Sequence, residues 1–426
     1  MHMLGLLIFL TLNLSARTQA SGSIAARGYV TENVLELTVN NYSANSIRKR
    51  DLPPAVTQEE LYLVEDGFYT VLVKLGSKQF GLHVDTGAVP TWVATHAFQC
   101  LDSELVRHPK AKCAMGPLFN PHYSTTLQPQ PGMVDFEIAF KDGYFARGKY
   151  VQEELSIGGL SSFKKPHSTV DQIIGLGQQV HWDGHRVSSG TLGLGFSSQL
   201  NTWSFLHTLF QETSIEPIFS LALYRSTSNT DPLGGYLAFG GIPDVPTDTT
   251  WASTPIISPL PDAPDGYTIT VDGFDITLPS GLSSTHTPGG RYISSPHKMI
   301  VDSGTTKLLL PVEVAEYIAS LFDPRALYYP PEKEYHVSCT ATRPRVGIKI
   351  AGISYFISDA DLLIPTPRLG ENVCVLQVNP VNGNALFLGQ TWLKNVVVAF
   401  DFRNEGDDMG RYTNGLLHVA ERNGLN

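Results

Sequence analysis

Charge is scarce in this chain. Asp, Glu, Lys and Arg make up 16% of its 426 residues, against about a quarter in an ordinary globular domain. With 42% of the residues apolar, the chain can bury a core, which excludes a disordered protein. A basic surplus is also missing. The formal net charge is −10, and phosphate binding needs a basic face, so no nucleic-acid partner is expected. No apolar run reaches the 18 or so residues of a spanning helix, so no membrane anchor is expected. The C-terminus lacks the hydrophobic tail of a lipid-anchor signal. Cysteine is rare, with four residues, and their spacings match no zinc site. The thirteen histidines are read as surface or pocket residues, so neither a metal nor another cofactor is expected.

Glycine and proline, by contrast, are plentiful, at 38 and 28 residues. Scattered through the chain, they oppose coiled coils and helical bundles and favour short strands joined by tight turns. Alternating runs fit that reading: Phe68–Leu75, Gln79–Val84, Val134–Phe140 and Tyr236–Phe239. The best helical stretches are Thr202–Phe210 and Pro311–Leu321, the second with Pro at a tolerated first-turn position. Trp203 and Phe205 are expected in the core.

The N-terminal fifty residues read as targeting and processing segments. Leu4–Leu14 is an apolar run followed by the small-residue site Thr18-Gln19-Ala20, so residues 1–20 are read as a secretory signal. Residues 21–50 are read as a pro-segment. It ends in Ile47-Arg48-Lys49-Arg50, where the Lys49-Arg50 pair suits a dibasic processing protease. Removing 1–50 takes away five basic and two acidic side chains and leaves −13. A basic segment could be held on such an acidic body by charge alone. In a secretory product the four cysteines are expected as disulfides. Three connectivities are open, and proximity favours Cys100–Cys113 and Cys339–Cys374.

An internal repeat organises the rest. An apolar strand ending in Val84 runs into Asp85-Thr86-Gly87, and Met299-Ile300-Val301 runs into Asp302-Ser303-Gly304. Each is followed downstream by an apolar strand ending in Gly: Thr191–Gly195 in one half, Ala385–Gly389 in the other. The halves are placed at residues 51–240 and 241–426. One Asp-Thr/Ser-Gly tripeptide is an ordinary turn. Two copies can face each other across a two-fold axis and bring two carboxylates together. Like charges at close range do not both ionise easily, so such a pair holds one proton. The charged member can take a proton from water, and the protonated member can polarise a carbonyl.

At these residues the chain resembles the pepsin-like aspartic proteases over nearly all of 65–403. Asp85-Thr86-Gly87-Ala88-Val89-Pro90-Thr91-Trp92 is similar to the family's first active-site motif, and Val301-Asp302-Ser303-Gly304-Thr305-Thr306 to its second. Phe136–Gly143 resembles the flap hairpin that closes over substrate. Phe239–Ile242, Leu388–Leu393 and Val398–Asp401 resemble family strands, and the cysteines sit where the family places its two commonest disulfides. The resemblance implies an all-β, bilobal double β-barrel with pseudo-two-fold symmetry and a few short helices. It implies an endopeptidase working at acidic pH through Asp85 and Asp302, with no covalent intermediate. Thr86 and Ser303 would tie the lobes together. Gly87, Trp92, Phe140, Lys141, Asp142, Gly143, Gly304, Thr305 and Thr306 would bind substrate, with Lys141, Asp142 and Gly143 forming the flap tip. Substrates would be polypeptides with apolar residues flanking the cleaved bond, and the product a monomer, secreted or delivered to the vacuolar lumen.

Two residues depart from the family pattern. Ala88 replaces a serine that would donate to the first aspartate, while Thr305 keeps the matching role for Asp302. Fewer donors to the ionised form raise its pKa, so a less acidic optimum is expected. Phe140 replaces the flap tyrosine whose hydroxyl would bond the indole at Trp92. Phe keeps ring packing but loses that bond, so slower or differently selective catalysis is expected. These departures keep open a weakened or inactive binding or inhibitor protein on the same fold. A two-carboxylate glycosidase, which needs its acid and base set apart, fits the duplicated framework poorly. His83, beside Val84, is expected to be a satisfied structural histidine.

Overall fold

The two Asp-Thr/Ser-Gly turns are embedded in two copies of one strand arrangement. The strand Lys78–Asp85 lies parallel to Ser188–Gly193, with Val84 opposite Leu192 and Asp85 opposite Gly193. That second strand runs antiparallel to Trp92–Leu101. In the other half, His297–Val301 lies parallel to Leu386–Leu388, with Val301 opposite Leu388, and Leu386–Leu388 runs antiparallel to Leu308–Pro311. The structure is a computed structural model. It describes residues 34–39, 68–130, 135–140, 142–157, 169–195, 204–213, 215–225, 233–257, 266–278, 291–292, 296–403 and 415–423. The fold is mostly β and bilobal, with four short α-helices among the described residues.

Strands from both halves join in one large sheet. Ile218–Leu223 pairs with Leu233–Phe239 on one side and with Val396–Asp401 on the other, and the latter pairs with Gly415–Arg422. The apolar character of these strands follows from their place: Ile218–Leu223 and Val396–Asp401 are buried at every position. Phe219 stacks on Phe400 at 4.5 Å, and the Tyr267 hydroxyl donates to the carbonyl of Leu194 at 2.6 Å. Near this junction the Arg225 guanidinium donates to the buried carboxylate of Asp361, and Asn395 donates to the same oxygen at 2.9 Å. Val34–Val39 lies in the stretch read as a pro-segment. It is a strand of this sheet, paired with Leu233–Phe239 and, at Thr38 and Val39, with Thr70 and Tyr69.

The helices differ slightly from the sequence reading. The first spans Phe205–Glu212, with Ser204 at its N-cap position but making no side-chain cap bond, so it starts and ends later than Thr202–Phe210. It buries Phe205, Leu206, Leu209 and Phe210 on one face. The second spans Val312–Ser320. Pro311 is its N-cap rather than a first-turn residue, because it also closes the strand Leu308–Pro311. Trp203, residues 1–33 and the Lys49-Arg50 pair lie outside the described residues. Disulfides join Cys100 to Cys113 and Cys339 to Cys374, with Cα separations of 5.8 and 5.0 Å. Closing loops of 13 and 35 residues should stabilise the fold by about 3 and about 4 kcal/mol, respectively, in the chain-entropy account.

Candidate active site between the two halves

Each aspartate is held by its own turn and by the opposite half. The Gly87 N–H donates to Oδ1 of Asp85 at 2.8 Å, and the Gly304 N–H donates to Oδ1 of Asp302 at 2.8 Å. Thr86 and Ser303 lock the turns together. The Thr86 hydroxyl donates to the Val301 carbonyl (3.0 Å) and accepts from the Ser303 N–H (2.9 Å). The Ser303 hydroxyl donates to the Val84 carbonyl (2.9 Å) and accepts from the Thr86 N–H (3.1 Å). All four bonds cross between the halves in a buried setting, where an unmade bond is costly. The glycines also cross. A Cβ on Gly87 would lie 2.8 Å from the carboxyl atoms of Asp302, and a Cβ on Gly304 would lie 2.6 Å from Oδ1 of Asp85. Any larger residue at either place would push into the opposite carboxylate.

The carboxylates themselves are buried, Asp85 to 4% exposure and Asp302 to 7%. Burial pushes the Asp85 carboxyl well above the usual carboxylate range, and the neighbouring Asp302 charge pushes it further. The Thr305 hydroxyl donates to the outer oxygen of Asp302 at 2.7 Å. Ala88, three residues after Asp85, has no hydroxyl to offer. The backbone behind the second turn is tied to the short helix Gln390–Leu393: Gln390 N–H donates to the Thr305 carbonyl, Thr391 N–H to the Thr306 carbonyl, and the Gln390 side chain to the Ser303 carbonyl. Gln390 falls in Leu388–Leu393, which the resemblance reads as a family strand; the strand ends at Leu388 and Gln390–Leu393 is helix instead. The one signal of Gln390 is its place directly after the apolar-Gly strand of the second half.

The strands Asp135–Ala139 and Phe145–Ile157 pair as an antiparallel hairpin. Its tip closes with the Phe140 N–H donating to the Tyr144 carbonyl (2.8 Å) and the Gly143 N–H donating to the Phe140 carbonyl (3.0 Å). Gly143 takes φ +93°, a left-handed value that a side chain would resist. Asp142 has an exposed side chain, and its Oδ1 accepts from the Tyr144 N–H. Partial desolvation raises its carboxyl above the ordinary value, and its charge adds to the upward push on Asp85. The tip therefore lies within electrostatic reach of the dyad. Lys141 lies outside the described residues.

Beneath the hairpin sits an aromatic cluster. Trp92 is fully buried and its Nε1 has no hydrogen-bond partner among the described residues. The ring of Phe140 rests on Trp182 at 5.0 Å rather than on Trp92, which meets Trp182 edge-on at 5.6 Å. His83 corrects the reading of a satisfied structural histidine. It is buried at 2% exposure and neither ring nitrogen has a hydrogen-bond partner among the described residues. The reason is its surroundings: Phe68 at 4.9 Å and Trp182 at 6.3 Å present ring carbon, not polar atoms. Burial, helped by the nearby His185, pushes its pKa down to about 4. Trp182 and His185 were also missed in the sequence, since nothing local marks them. Among the described residues, no group of His, Cys, Asp and Glu is arranged to hold a metal ion, and no helix is long and apolar enough to cross a membrane.

Comparison with known proteins adds the following. Residues 68–409 match a family model described as eukaryotic aspartyl protease. A probable aspartic-type endopeptidase of Aspergillus fumigatus is 29% identical over 411 residues, covering 91% of this chain and 88% of the relative. An acid protease of Saccharomycopsis fibuligera is 23% identical, covering 80% of each chain. Rhizopuspepsin-4 of Rhizopus niveus is 26% identical, covering 75% of this chain and 71% of that one.

Proposed function

The chain belongs to the eukaryotic aspartyl protease family, and on that premise we propose that it is an endopeptidase whose reaction is carried by Asp85 and Asp302. The observation that carries this reading is the reciprocal packing of two buried carboxylates, each against the other half's glycine. Two such groups share one proton, which is the behaviour known for this family's paired aspartates. The ionised member takes a proton from a water as that water attacks the scissile carbonyl, while the protonated member gives its proton to the carbonyl oxygen. On collapse, the proton taken from water passes to the leaving amine, a hydroxyl of the tetrahedral diol returns its proton to the other carboxylate, and the dyad again holds one proton. Gly87 and Gly304 hold the carboxylates by their N–H groups. Thr86 and Ser303 keep the halves in register. Thr305 steadies Asp302, and Thr306 extends the wall beside it. The hairpin with Phe140, Lys141, Asp142 and Gly143 covers the substrate, with Trp92 beneath it.

The working range is acidic, since one proton must stay on the dyad. Substrates are polypeptides with apolar residues flanking the cleaved bond. The protein travels the secretory route to the exterior or the vacuole, with residues 1–20 as signal and 21–50 as a pro-segment cut at Lys49-Arg50. The lobes divide near residue 240, between the strands Leu233–Phe239 and Thr247–Ile257. The test is cleavage of a denatured protein between pH 3 and 6, with and without pepstatin, beside Asp302→Asn. Pepstatin-sensitive cleavage that Asp302→Asn abolishes is expected. Its absence across that range would favour a binding protein on this fold.

A further inference from the structure

Trp182 stands at the end of the strand Thr169–His181, which pairs along the return strand of the hairpin, with Phe145 opposite His181. The residue is 7% exposed, and its Nε1 has no hydrogen-bond partner among the described residues. It meets Trp92 edge-on at 5.6 Å and the buried His83 at 6.3 Å. It also meets Phe140 at 5.0 Å and Tyr144 at 5.4 Å. Phe140 and Tyr144 are the two legs of the tip, bonded to each other by the Phe140 N–H. Both legs therefore rest on one anchored ring. Phe140 has no hydroxyl to bond the Trp92 indole nitrogen, which has no hydrogen-bond partner among the described residues.

We propose that Trp182 is the positioning residue of the hairpin tip: its ring sets the height of Phe140 and Tyr144, and through them of Asp142, above Asp85. Among the described residues, Phe140 and Tyr144 both pack on Trp182, and Tyr144 also meets the His181 ring at 5.2 Å. Such packing is less directional than a hydrogen bond, so the size of the ring at residue 182 governs how often the tip is closed. Trp182 acts through the hairpin and does not touch the reacting atoms. The effect on turnover rests on the protease reading above, whereas the effect on the hairpin does not.

The experiment uses the full chain with Trp182→Phe, Trp182→Leu, Phe140→Leu and the double variant Trp182→Leu/Phe140→Leu. Hydrogen exchange at the Phe140 and Gly143 amides reads tip opening directly. It is expected to quicken about tenfold in Trp182→Leu, and much less in Trp182→Phe, while strand Ile218–Leu223 is unchanged. In steady-state cleavage, Trp182→Leu is expected to lower kcat about tenfold with KM within about twofold, and Trp182→Phe to recover most of it. The double variant should be no slower than the worse single one, because both remove the same contact. Unchanged tip exchange in a folded Trp182→Leu, or fully additive kcat losses, would overturn the proposal. If Trp182→Leu does not fold, Trp182→Phe beside Phe140→Leu supplies the same comparison, with faster exchange expected in both and unchanged exchange overturning it. Absence of cleavage by the parent protein would sink the protease reading and leave the exchange result to decide the role of Trp182.

Discussion

Thr305 donates a 2.7 Å hydrogen bond to the outer oxygen of Asp302, and the first half has no counterpart, because Ala88 follows Asp85 at the same distance. The asymmetry falls on the carboxylate that burial and its neighbour already push upward. A serine at residue 88 would add a donor to the ionised form and lower that pKa. The charged form would then persist to lower pH. Ala88→Ser is expected to move the kcat/KM–pH profile toward acid. A profile that stays in place would remove Ala88 as the cause of a less acidic optimum.

Phe140→Tyr addresses the other departure. Both indole nitrogens beneath the hairpin, on Trp92 and Trp182, lack hydrogen-bond partners among the described residues. A hydroxyl at residue 140 offers an acceptor, worth about 1 kcal/mol net and more where water is excluded. If that bond strengthens in the transition state, kcat/KM should rise several-fold, up to about tenfold. Steady-state kinetics on one peptide decides it, and an unchanged kcat would mean that Phe140 imposes no defect.

The crossed bonds of Thr86 and Ser303 predict a paired loss of stability. Thr86→Val strands the Ser303 N–H and the Val301 carbonyl. Ser303→Ala strands the Thr86 N–H and the Val84 carbonyl. Each should cost about 2–4 kcal/mol, two buried groups having lost their partner. Urea unfolding should show the two costs to be similar, and their combination non-additive, since the bonds share one seam. A loss below about 0.5 kcal/mol in either variant would contradict the seam's part in stability.

Much of this was legible in the sequence because it is local. The Asp-Thr/Ser-Gly turns, the apolar strands before them and the apolar-Gly strands after them are written in runs of three to six residues, and their duplication marks them out. Phe140 and Ala88 stand out against that pattern for the same reason. Trp182 and Gln390 do not. Trp182 matters through Phe140, Tyr144 and Trp92, which lie 38 to 90 residues away in the chain. The state of His83 was misread because alternation gives a direction but not the company at the end of it. Phe68 and Trp182 supply only ring carbon there.

His83 gives a stability prediction with a definite sign. Its pKa is pushed from 6.5 down to about 4 by burial. Between those values the unfolded chain binds a proton that the folded one refuses, so stability falls as pH drops from 6.5 toward 4. The group facing it most directly in charge is His185, paired with Asp183 at 3.4 Å. A shift of that size corresponds to about 3 kcal/mol. His83→Met should flatten the fall in Tm over this window. An equally steep fall in the variant would show that other groups set it.

The strand Val34–Val39 lies on the N-terminal side of the Lys49-Arg50 pair, yet it is stitched between Tyr69–Leu75 and Leu233–Phe239. Cutting the backbone after Arg50 leaves those ladder bonds in place. The processed enzyme would then be a two-chain complex, in which a short peptide is a ligand of the body. Its retention would obey a dissociation constant, so dilution could change the thermal midpoint of the cut protein while leaving that of the uncut chain alone.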